Sequence, residues 1–111
     1  MSIHFENRDQ VAVFRPTGRL DSASSPELES LVNTQLEAGA RNVVFDLADL
    51  DYISSAGLRV VLLAGKKLRA SQGRLLLAGL RDNVRDVFAM SGFLSLFNVV
   101  ASVDEAVTAL S

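Results

Sequence analysis

Cysteine is absent from the 111-residue chain, so neither a disulfide framework nor a thiolate metal site is available. Histidine occurs once, at His4, in an expected edge strand. A histidine-dependent catalytic triad would have to use it, and that position suits a surface residue better than a general base. Positive charge is not in excess either: 11 Lys and Arg stand against 13 Asp and Glu, a formal net charge of −2. That balance offers no field for a nucleic-acid backbone and no polybasic patch for anionic lipid. No uninterrupted apolar run approaches the roughly 20 residues that a membrane span requires, and Met1 to Asp9 mixes charges into its apolar residues. The expectation is a soluble cytoplasmic protein with no direct membrane insertion and no nucleic-acid partner.

Nucleotide and metal motifs are missing as well. Gly65-Lys66-Lys67 lacks the upstream glycine and the Ser/Thr of a phosphate-binding P-loop, and no GxGxxG follows the first strand. Asp46, Asp49 and Asp51 have no EF-hand glycine or downstream bidentate glutamate in register, so they are expected to solvate the loop after a strand. No enzyme activity, cofactor or metal is expected of the chain itself.

What is present fits one domain spanning residues 1–111, long enough for a single core. Ile3-His4-Phe5 and Val11-Ala12-Val13-Phe14 flank a polar turn and predict a hairpin. Ser24-Ser25-Pro26-Glu27 announces a first helix, with Ser24 as the expected cap, Leu28, Leu31, Val32 and Leu36 on its apolar side, and Gly39 at its end. A strand over 41–47 is followed by a helix from Ala56 to about Gln72, closed by Gly73. A continuous apolar strand over 74–78, a helix over 82–90 and a strand over 97–100 follow. Ser102 to Glu105 reads as a capping box opening a terminal helix. The alternation implies an α/β fold, a mixed sheet of four to five strands opening with a hairpin and packed against about four helices.

The stretch Asp49-Leu50-Asp51-Tyr52-Ile53-Ser54-Ser55-Ala56-Gly57-Leu58-Arg59 sets two hydroxyls between segments that both favour burial. One reading makes the serines a helix cap. The other uses the same geometry for an anion, since a phosphate on a serine at a helix start is favoured by the free N–H groups and the dipole. Further along the helix, Val60 and Leu63 fall outside the arc of Leu58, Val61, Leu62, Gly65 and Leu68. Either that helix is buried on a wide face or the two residues form an apolar patch beside the serines.

Gly18-Arg19-Leu20-Asp21, the strand Val44-Phe45-Asp46-Leu47, the run Tyr52 to Arg59, and Met90-Ser91-Gly92-Phe93 with Phe97 and Asp104-Glu105-Ala106 resemble, in order and spacing, the STAS domain of bacterial anti-sigma factor antagonists. The resemblance implies a partner-switching protein. Unphosphorylated, it would bind an anti-sigma factor that is also a serine kinase of the histidine-kinase-like ATPase type and so release that factor's target. Phosphorylation would block binding, and a PP2C-type phosphatase would restore it. The family pattern places the phosphorylated serine on Ser55, with Gly57 and Leu58 in its Gly-Leu positions, and Ser54, standing where the family has an aspartate, is the less favoured competing acceptor. Three residues depart from the pattern: Ser54 stands for an aspartate, Ala56 for a second hydroxyl residue and Arg59 for a glycine. Arg59 is a candidate contact for phosphate or partner, or an ordinary solvated arginine. Asp21 is a candidate partner contact or a turn aspartate. With Ser54, Gly57, Leu58, Val60 and Leu63 they form the expected partner surface. The alternative within the same fold is a constitutive STAS subunit of a membrane lipid transporter complex, with no serine phosphorylated.

Overall fold

A computed structural model describes residues 2–110. Strands β1 (Ser2–Arg8) and β2 (Val11–Leu20) pair antiparallel, from Ser2 opposite Thr17 to Arg8 opposite Val11. Asp9 and Gln10 turn the hairpin at φ 50° and 68°. Positive φ at both central residues matches the turn to the right-handed twist of the strands, and Asp tolerates it.

Beyond the hairpin the order is α1 (Ser25–Glu37), β3 (Asn42–Asp46), β4 (Leu50–Ile53), α2 (Ser55–Ala70), β5 (Arg74–Ala78), α3 (Asp82–Met90), a 3-10 turn over Leu94–Leu96, β6 (Asn98–Val100) and α4 (Val103–Leu110). The sheet runs β1-β2-β3-β5-β6, with β4 pairing only to β2. Apart from the hairpin every pairing is parallel. The sheet therefore has six strands, and the one not foreseen is β4. Its burial runs in, out, out, in, so the alternation that marks a strand in sequence is missing.

Helices cover both faces of the sheet unequally. Phe14, Phe45 and Leu77 point to one side and pack with Leu28 and Val32 of α1, Val61 and Leu68 of α2, and Val84 and Phe88 of α3. Val11, Val13, Val44, Leu76 and Ala78 point to the other and meet Ala106, Val107 and Leu110 of α4 alone. Burial on both faces explains the unbroken apolar runs of β3 and β5. Leu31, expected on the buried side of α1, is instead exposed.

The helix ends show which small residues matter. Gly39 ends α1 at φ 104° as expected, but after α2 the left-handed residue is Gln72, at φ 64°. Gly73 serves closeness instead: a Cβ there would lie 2.5 Å from the Arg41 carbonyl oxygen, where the chain enters β5 beside β3. At α4, the Ser102 hydroxyl accepts from the Glu105 N–H at 3.2 Å, and Glu105 accepts from the Ala101 N–H at 3.0 Å, one residue earlier than a standard capping box.

One polar group is left unpaired in this packing. The Ser25 side chain is buried and its hydroxyl has no hydrogen-bond partner. An unsatisfied buried hydroxyl costs roughly 1–3 kcal/mol. Ser25→Ala is therefore expected to raise stability by about 1 kcal/mol in urea unfolding, whereas a loss of stability would show that the hydroxyl is satisfied in solution.

Candidate functional site

The site is built where β2 changes partner. Residues 12–14 of β2 lie beside β3, and residues 18–20 lie beside β4, with a register shift between Gly18 and Arg19. Pro16, which has no N–H to donate, falls in the gap between the two pairings. Gly18, at φ 82°, takes the conformation that bends the strand, and its N–H donates to the Asp49 carbonyl at 3.1 Å. The outcome is a short second sheet edge, ending in Leu20 and Ile53, that delivers the chain directly into α2.

Entry into α2 is a chain of hydrogen bonds. The Ser54 N–H donates to the Leu20 carbonyl at 2.9 Å, prolonging the β2–β4 pairing by one residue. Ser54 then sits in extended conformation as the N-cap, and its hydroxyl accepts from the Gly57 N–H at 3.4 Å. Ser54 is half-buried and Ser55, the first helical residue, is exposed. The Ser55 hydroxyl takes no hydrogen bond among the described residues. Ser54 is therefore the residue that caps, and Ser55 is open.

Gly57 is the point of closest approach. A Cβ there would lie 2.8 Å from Ile53 Cγ1 and 2.9 Å from the Leu20 carbonyl oxygen. No side chain fits without moving the helix from the strand ends.

The remaining expected surface residues divide by burial. Arg59 is exposed and Leu63 is half-buried. Gly57, Leu58 and Val60 are buried, so in this conformation they are packing residues and not an exposed surface. Val60 corrects the apolar-patch alternative most clearly, being only 6% exposed because α1 packs against α2. The buried face of α2 is wide.

Asp21 closes the turn into α1. Its Oδ1 accepts from the N–H of Ala23 at 3.0 Å and of Ser24 at 3.1 Å, while the Ser24 hydroxyl accepts from the Asp21 N–H at 3.0 Å. Ser24 is the N-cap residue as expected, but its hydroxyl makes no cap hydrogen bond and turns back to donate to the Arg19 carbonyl at 2.8 Å. These bonds hold the Asp21 carboxyl below its ordinary pKa. The Ser24 N–H contributes most, desolvation opposes it, and the Ala23 N–H, the Ser24 hydroxyl and the charge of Arg19 add to the lowering.

Several residues around the site were not foreseen. The Arg19 guanidinium stacks on Tyr52, 4.1 Å from the ring centroid, because the β2–β4 register sets the two side by side. Arg81, at the start of α3, pairs with Asp51 and donates to the Ala48 carbonyl at 2.7 Å, while Asn83 donates to the Asp51 carbonyl. Asp46 does not solvate a loop as expected: it is 7% exposed, accepts from the Ala48 N–H and faces Arg15 at 3.9 Å. The Arg19 and Arg81 contacts depend on the packing of β4 beside β2 and α3, and β4 has no pattern of its own.

The family model of the STAS domain matches residues 2–106. This chain belongs to the STAS domain family. A Bordetella bronchiseptica protein described as an anti-sigma factor antagonist, BtrV, is 46% identical over 109 residues, covering 98% of this chain and 94% of that protein. The anti-sigma-B factor antagonist of Staphylococcus aureus is 25% identical, covering 89% of this chain and 92% of its own. The unphosphorylated structure of the anti-sigma factor antagonist SpoIIAA superimposes with a TM-score of 0.86 at 25% identity, over 97% of this chain and 95% of that one. The phosphorylated form of SpoIIAA from Bacillus gives 0.80 at 24% identity, over 99% and 100% of the two chains.

Two stability predictions follow from the geometry of the helix start. Gly57→Ala is expected to cost about 1–3 kcal/mol through overpacking and Ser54→Ala about 1 kcal/mol through the lost cap, with Ser55→Ala within about 0.5 kcal/mol of the parent. Urea midpoints check the ranking, and equal losses at Ser54 and Ser55 would contradict the assignment of the cap. A carboxyl with a lowered folded pKa contributes stability that is complete above its ordinary value of about 3.9 and is lost as pH falls through the folded value. Asp21→Asn keeps an acceptor oxygen without the charge. It is expected to lose stability less steeply as pH falls below about 4, and an acid limb identical to the parent's would remove Asp21 from the account.

Proposed function

We propose that this protein is an anti-sigma factor antagonist working by partner switching in the cytoplasm. In this reading the unphosphorylated form binds an anti-sigma factor that is also a serine kinase of the histidine-kinase-like ATPase type, and so frees that factor's target. The kinase holds the ATP. Transfer of its γ-phosphoryl group to Ser55 Oγ forms the phosphate ester and releases ADP and the hydroxyl proton. A PP2C-type phosphatase adds water across the ester, returning the serine and inorganic phosphate. The chain itself catalyses nothing.

The observation that carries the reading is the division of labour at the start of α2. Ser54 spends its hydroxyl on Gly57, and Ser55 next to it is exposed and unengaged. A modified Ser55 keeps its helix, because an anion at the first helical position is favoured by the dipole and the cap lies elsewhere. The relatives named as anti-sigma factor antagonists support the partner class, and the SpoIIAA structure in a phosphorylated form supports the type of control.

The test is the affinity of purified forms for the cognate ATPase. Ser55→Ala should bind like the parent, and phosphorylation should weaken binding about a thousandfold, equivalent to about 4 kcal/mol of repulsion and desolvation. Ser55→Asp should lose a measurable part of that affinity. Equal retention of all forms would overturn the reading, and joint recovery of both variants with membrane-transport proteins would favour the constitutive STAS subunit.

A further inference from the structure

The arginines near the start of α2 differ in what already holds them. Arg81 is paired with Asp51, and Arg19 is stacked on Tyr52. Arg59 is exposed and carries no ion pair among the described residues. It stands four residues after Ser55 on the same helix, one turn on and about 6 Å along the axis, where side chains at this spacing meet. The first turn of α2 holds no acidic residue that would compete for it. Asp21 has an oxygen committed to two backbone N–H groups, and Asp51 is taken by Arg81. An anion placed N-terminal to a cation at this spacing has the favourable orientation along the helix dipole.

We propose that Arg59 is the intramolecular counter-ion of a phosphate on Ser55. This deepens the partner-switching reading and rests on it for the occurrence of the phosphate. In the unmodified protein the Arg59 guanidinium is available to an acidic group of the bound partner. Phosphorylation then acts twice, adding a dianion to the docking surface and withdrawing its uncommitted cation into a helix-internal pair. Arginine suits the task because its planar fork meets phosphate oxygens with two parallel N–H donors.

The experiment installs phosphoserine at position 55 by semisynthesis, so no kinase is required, and follows the second phosphate ionisation by phosphorus NMR. With Arg59 present the midpoint should lie about 0.3 pH unit below that of Arg59→Gln, with Arg59→Lys between them and the difference shrinking in molar salt. Coincident midpoints in all three proteins would overturn the proposal. A second arm compares unmodified Arg59→Gln with the parent for binding to the ATPase. A roughly tenfold loss, the scale of one charge-assisted contact, supports the withdrawal of Arg59 by phosphate. Unchanged affinity overturns that half. If no ATPase phosphorylates Ser55, the partner-switching reading fails on its own, and the NMR result still decides whether Arg59 holds the phosphate.

Discussion

The contact on which this molecule turns is the approach of the first turn of α2 to the ends of β2 and β4. Gly57 is pressed so near Ile53 and Leu20 that no Cβ can be accommodated. The Ser54 N–H is fastened to the Leu20 carbonyl. Everything exposed at this end of the fold takes its position from that seam. The strand must change partners to reach it, which explains the bend at Gly18 and the placement of Pro16 where no donor is missed. The helix begins at Ser55, which is exposed between the half-buried Ser54 and Ala56.

Much of the layering could be read from residues alone, for reasons that can be named. The runs in β3 and β5 are continuous because both faces are covered, and α3 and α4 carry apolar residues at helical spacing. The capping pair of Ser102 and Glu105 is local, so four residues contain its whole signal. What stayed hidden depends on partners distant in sequence. Strand β4 exists because residues 18–20 of β2 lie beside it, and its in-out-out-in burial imitates a loop. The buried state of Val60 comes from α1, more than twenty residues upstream, and helical arithmetic on α2 alone cannot contain it. The Arg19–Tyr52 stack and the Arg81–Asp51 pair belong to the same class of non-local fact.

The serines show how one local pattern can carry two meanings until the chain is folded. Two adjacent hydroxyls before a helix are each acceptable as caps. The fold gives that task to Ser54, whose backbone is extended and whose hydroxyl faces the Gly57 N–H. Ser55 is then an exposed hydroxyl at the start of a helix fastened to the ends of β2 and β4. A charge added there disturbs no internal contact of the site, so its effect would fall on what docks outside.

The most direct test of this account is to incubate the protein with the partner ATPase proposed for it and ATP and to locate the phosphate by mass spectrometry, using fragments that separate Ser54 from Ser55. The account predicts one phosphate, on Ser55, with Ser54 unmodified. A phosphate on Ser54, on any other residue, or none on a chain that still binds the ATPase would contradict it.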